Sequence, residues 1–172
     1  VDPYTVDICA GYAITYRWRA EDACGNFTEE TQTFNVLPDT EAPVFDALPS
    51  AIADISCDDV LPAQETLTAT DDCSAVTVTP SVDPYTVDIC AGYAITYRWT
   101  ATDECGNSDE TSVTFNVLPD AAAPVFDSAP SAIADISCSD ALPLQEVLTA
   151  TDDCSAVTVT PSVDPYTVDI CA

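Results

Sequence analysis

The chain has 172 residues, with 30 acidic side chains, 3 basic ones, no histidine and a formal net charge of −27. That balance excludes a nucleic-acid or anionic-membrane footprint, because both need basic patches. Disorder is disfavoured too: 47% of the residues are apolar, Trp18 and Trp99 among them, and disordered segments lack the apolar surface needed to offset chain entropy.

The first stretch, VDPYTVDICAGYAITYRW from Val1, returns at Val82, and VDPYTVDICA returns at Val163, so the period is 82 − 1 = 163 − 82 = 81 residues. The chain begins inside a repeat, no secretory leader opens it, and it reads as a window on a longer protein. The proline-marked segments LPDTEAPVF (37–45) and LPDAAAPVF (118–126) read as linkers. They predict the C-terminal part of one repeat at 1–38, a complete repeat at 41–119 and the N-terminal part of the next at 122–172.

Within the complete repeat no apolar stripe of helical period runs for three turns, while alternation is plain. Strands are predicted at Ile52–Ser56, Thr66–Thr70, Ala75–Thr79, Tyr85–Ile89, Tyr93–Thr100 and Ser112–Val117. In Tyr93–Thr100 the large apolar groups fall on odd positions, and Val113, Phe115 and Val117 repeat the pattern, so each strand has one core face and one wet face. Tyr97 and Trp99 stand on the core face and read as core, not as a sugar-stacking platform. Short antiparallel strands separated by proline and acidic turns imply an all-β chain of tandem immunoglobulin-like β-sandwiches. No apolar run approaches the roughly 18–20 residues of a membrane span.

The nine cysteines obey the period, as Cys9, Cys90 and Cys171; Cys24 and Cys105; Cys57 and Cys138; Cys73 and Cys154. With no histidine and no C-x-x-C pair, disulfides in an oxidising compartment are the better account than zinc. The absence of lysine, with Arg17, Arg19 and Arg98 the sole basic residues, suits an extracellular setting exposed to trypsin-like proteases. A repeat has four cysteines and therefore three connectivities. If each predicted strand reverses the last, the turns TATDDC (68–73) and TATDEC (100–105) share a pole, and parity favours Cys73–Cys105 and Cys57–Cys90, with Cys138–Cys171 repeating the second.

The acidic turns gather Asp71, Asp72, Asp103 and Glu104 at one pole, with Asp39, Glu41 and Asp120 in the linkers. One reading is turn chemistry, in which Asp bonds nearby backbone and Gly or Asn takes positive φ. The other is a calcium site that stiffens the join, since calcium takes six to eight oxygen ligands. Glu41 corresponds to Ala122, so that linker acid is not kept. Paired carboxylates also suit glycoside hydrolysis, but these acids recur in each unit without a distinct cleft, so no enzyme is expected. No cofactor is required, and the pattern is compatible with calcium.

The runs APVFDALPSAIADISC, LTATDDCSAVTV, YAITYRWTATDECGN and TFNVLPD resemble the hyalin-repeat-like domain, in the cysteine-containing form found in tandem in giant surface adhesins of Bacteroidota, including gliding-motility adhesins of the type 9 secretion system. The resemblance covers the whole chain, and its most specific parts are TATDDC (68–73) and YRWTATDECGN (97–107). The linkers DTEAP and DAAAP depart from the family's paired prolines. The resemblance implies an immunoglobulin-like unit and an extracellular stalk or adhesin, whose partners are neighbouring repeats and surface polysaccharide or other cells. A disulfide-stapled, extended rod in a cell-surface filament is the expected form. A glycan- or partner-binding repeat acting by avidity, and a spacer array attached to a secreted enzyme, are the alternatives.

Overall fold

The computed structural model describes residues 5–137 and 139–165. Among them every regular element is a strand: β1 (Tyr12–Glu21), β2 (Phe27–Val36), β3 (Val44–Phe45), β4 (Ala69–Thr70), β5 (Thr77–Val82), β6 (Tyr93–Thr102), β7 (Ser108–Val117), β8 (Val125–Phe126) and β9 (Ala150–Thr151). Among the described residues no helix is long and apolar enough to cross a membrane. The chain forms two compact units. One holds the described residues up to Ala53 with Pro62–Pro84 and Ile95–Phe115; the other holds Asp54–Leu61, Tyr85–Ala94 and the described residues from Asn116 onward.

In the first unit β1 and β2 form an antiparallel hairpin, with Tyr12 opposite Val36 and Glu21 opposite Phe27. Val44 and Phe45 of β3 pair antiparallel with Thr70 and Ala69 of β4. The main sheet has the order β5-β6-β7. Pro80 sits opposite Trp99 on β5, an edge strand, where its missing N–H breaks no ladder. The alternation of β6 becomes burial: Ile95, Tyr97, Trp99 and Ala101 are all in the core, and Phe115 of β7 joins them, its ring meeting Tyr97 edge-on at 5.3 Å.

The stretch 62–67 covers this face and satisfies its polar tips. Tyr97 Oη donates to the Pro62 carbonyl, Trp99 Nε1 donates to the Glu65 carbonyl, and Leu67 is buried. Gln64 Nε2 reaches the carbonyls of Ser81 and Arg98. At the wet face Arg98 donates to both carboxylate oxygens of Asp83 and also to Glu110.

β1 carries the same letters as β6 up to the tryptophan, yet Trp18 is 54% exposed while Trp99 is 1% exposed. Local sequence is therefore not what buries the tryptophan. A covering segment does that, and among the described residues none lies over β1 as 62–67 lies over β6.

In the second unit Ile55 makes a parallel bridge to Val117, and its N–H and C=O join Asn116 and Leu118. Val125 and Phe126 of β8 pair with Thr151 and Ala150 of β9, which repeats the β3–β4 register one period on. The turn before β6 needs a glycine. Gly92 has φ +75°, and an added Cβ would stand 2.8 Å from the Val117 carbonyl oxygen. At Gly106, φ is +88° but nothing lies within 4 Å. Gly106→Ala should therefore cost only the left-handed backbone term, about 1–2 kcal/mol. Gly92→Ala should cost clearly more in the same urea titration, and equal costs would mean that the contact with Val117 relaxes freely.

Two sequence expectations fail in instructive ways. Residues 85–89 form no strand, and 52–56 contributes only the Ile55 bridge, so the strand count behind the parity argument is wrong. The disulfides are accordingly different. Cys9 bonds Cys105 and Cys57 bonds Cys154, with Cα–Cα distances of 5.0 and 5.6 Å, in place of Cys57–Cys90 and Cys73–Cys105. Cys24, Cys73 and Cys90 carry no disulfide among the described residues. The expected Cys138–Cys171 pair lies outside the described residues.

Candidate functional site at the acidic turns

Each ATDxC turn is built by its aspartate. Asp71 Oδ1 accepts the N–H groups of Cys73 and Ser74. Asp103 accepts the Asn107 N–H on Oδ1 and the Asn107 side-chain amide on Oδ2, both at 2.8 Å. Asp22 and Asp152 make the matching bonds in their own turns. Short side chains that bond the backbone two to four residues on are what close such turns.

The linker then brings a third carboxylate. The Asp39 N–H donates to the Ile8 carbonyl at 2.8 Å. Its Oδ1 accepts the Glu41 N–H. Carboxylate oxygens of Asp39, Asp71 and Asp103 lie within 4.8 Å of one another. Asp39 and Asp103 are 8% and 7% exposed, and Asp39 Oδ2 is buried without a hydrogen-bond partner. Asp72 and Glu104 are exposed and stand outside this cluster. Like charges at such a separation repel by several times thermal energy even at an effective dielectric of about 20. One period on, Asp120 takes the place of Asp39 and meets the side chain of Asp152.

The same contacts explain the bridges. Ile8 is held to Asp39, whose carboxylate rests against Asp103, so the neighbouring Cys9 meets Cys105. In the second unit Ile55 holds Leu118, and Asp120 lies beside Asp153 and Cys154, so Cys57 meets Cys154. The TATDDC and TATDEC turns do stand together, but the linker-bound cysteine loop, not Cys73, reaches Cys105. Burial, and then Asp72, push the Cys73 thiol up, so little of it is the nucleophilic thiolate at neutral pH.

Asp103 is held below the ordinary carboxylate range. Burial acts to raise it, and the Asn107 amide and N–H, with the N–H groups of Gly106 and Cys105, outweigh that burial. A carboxylate whose folded pKa lies below its unfolded value stabilises the fold above the unfolded value and loses that contribution as pH falls through the folded one. In chelator, the stability difference between wild type and Asp103→Asn should be constant above about pH 4 and shrink at lower pH. A difference unchanged from pH 7 to pH 3, read from urea midpoints, would show that folding does not alter this titration.

The sequence marks Asp71 and Asp103 as candidate ligands and assigns Asp39 to the linker. The signal that singles out Asp39 is its recurrence as Asp120, whereas Glu41 becomes Ala122. Comparison with protein-family models and with curated proteins finds no significant match, so the functional reading rests on these residues.

Proposed function

We propose that the chain is a non-catalytic structural stretch of a long secreted or cell-surface adhesin, a run of disulfide-stapled, immunoglobulin-like β-sandwich repeats that forms a stiff stalk or fibre. One observation carries this reading: both disulfides join residues further apart than one repeat, with separations of 96 and 97 against a period of 81. Each bridge crosses a sequence-repeat boundary while lying inside one compact unit, so successive repeats are joined covalently, which is what a load-bearing array requires and a freely jointed spacer does not.

The cysteines without a bridge support the same reading. Cys24, Cys73 and Cys90 correspond, one period away, to Cys105, Cys154 and Cys9, each of which is bonded across a repeat boundary. In a longer array their partners are cysteines of the adjoining repeats. Disulfides persist in oxidising compartments, which agrees with an extracellular location. The hyalin-repeat-like resemblance supplies the adhesin context, with surface polysaccharide or other cells as partners.

Small-angle scattering of a four-repeat array tests the reading. A maximum dimension that grows nearly linearly with repeat number is expected. A dimension that grows far more slowly would replace the stalk with a compact multi-repeat particle.

A further inference from the structure

The acidic cluster has a property that turn chemistry leaves unexplained. Asp71 and Asp103 are each occupied by the turn they close, and each closes its own turn without drawing on the other. Asp39 is different: it comes from the linker, is more than nine-tenths buried, and leaves Oδ2 without a hydrogen-bond partner. Among the described residues this is the one buried side-chain oxygen or nitrogen in that condition. An unpaired buried carboxylate oxygen is costly, and two further carboxylates beside it raise that cost. A bound cation removes both penalties together.

We propose that Asp39, Asp71 and Asp103 form a calcium site that fastens the 37–45 linker to the two acidic turns. The geometry suits the ion. Oxygens that share a calcium at about 2.3–2.6 Å from it lie no more than about 5 Å apart, and these three lie within 4.8 Å. All donors are hard oxygens and there is no histidine in the chain, which selects calcium over the nitrogen- and sulfur-seeking metals. Magnesium demands a tighter octahedron and gives up its water reluctantly, so it is the weaker ligand partner. The site is distinct from the exposed acids Asp72 and Glu104, and it stands whether or not the chain acts as a stalk.

The test uses the intact, oxidised chain. After chelator treatment, calorimetric titration with CaCl2 is compared for wild type, Asp39→Asn and Glu104→Gln, with MgCl2 as the competing ion. Wild type should bind calcium in the micromolar to millimolar range. Asp39→Asn should weaken binding at this site by at least about tenfold, because affinity follows ligand charge count, while Glu104→Gln leaves it within about twofold. The variant should also be more stable than wild type in chelator, through relief of repulsion, and gain less from added calcium. Equal losses in the two variants would reduce the effect to surface charge and overturn the site. Equal affinity for magnesium would overturn the calcium assignment. Should Asp39→Asn fail to fold, the wild-type melting temperature decides: a rise in CaCl2 over chelator is required, and an unchanged transition rejects the proposal.

Discussion

Trp99→Ala is expected to destabilise the protein by about 3–5 kcal/mol, and Trp18→Ala by well under half of that. The two residues occupy the same place in the repeat, but Trp99 is 1% exposed and Trp18 is 54% exposed. Truncating Trp99 empties the space between β6 and the 62–67 stretch and leaves the Glu65 carbonyl without its indole donor. The lost transfer energy, the cavity and the unpaired acceptor all act in the same direction. Truncating Trp18 removes an indole that already faces water and meets Tyr16 edge-on. Urea titrations of both variants check this. Equal losses would mean that Trp18 is covered in solution as Trp99 is, and that the exposure of β1 is not a property of the folded chain.

Replacing Cys9 and Cys105 together by serine should cost roughly 4–5 kcal/mol on the chain-entropy account, given a closed loop of 96 residues. Cys24→Ser should change little, since Cys24 is exposed and carries no disulfide among the described residues. The pairing itself can be read independently. Trypsin acts after Arg17, Arg19 and Arg98, which gives pieces 1–17, 18–19, 20–98 and 99–172. After thiol blocking and denaturation, Cys9–Cys105 and Cys57–Cys154 hold 1–17, 20–98 and 99–172 in one non-reduced species. Bridges Cys57–Cys90 and Cys73–Cys105 would instead release 1–17. A free 1–17 peptide therefore rejects the observed connectivity in a single chromatogram.

Much of the local structure was legible because it depends on residues close in sequence. The alternation in 93–100 announced the buried face of β6, and the acidic Asx turns announced themselves at Asp71 and Asp103. What was not legible depends on distant residues. Ile55 looks like the middle of a strand, yet it makes one parallel bridge. The run Tyr85–Ile89 looks extended, but Asp88 caps a turn that includes Cys90 and Ala91. A directional count that includes both segments gives the wrong disulfides. Asp39 was visible as a linker residue, but its burial comes from the Ile8 contact and the two turns, which no window around Asp39 contains.

The reach of the bridges has a consequence for how the chain matures. A polypeptide delivered N-terminus first presents Cys9 and Cys24 well before Cys105, and Cys57 and Cys73 well before Cys154. The early pairs close short loops: Cys9 and Cys24 are 24 − 9 = 15 residues apart, against 96 for the native pair. Loop-closure entropy favours the short loop by about 1.6 kcal/mol, roughly a fifteenfold preference, before any native contact forms. Where a short loop has closed first, the native bond has to form by exchange. A later thiolate attacks the early disulfide and takes one sulfur, and the displaced cysteine leaves as a thiolate. Neither bridge can form within a single 81-residue period, because Cys9 waits for Cys105 and Cys57 waits for Cys154. Each bridge can close only after the chain has run a full period beyond its first cysteine, so reoxidation of the reduced chain is expected to recover both bridges faster with a disulfide isomerase than without one.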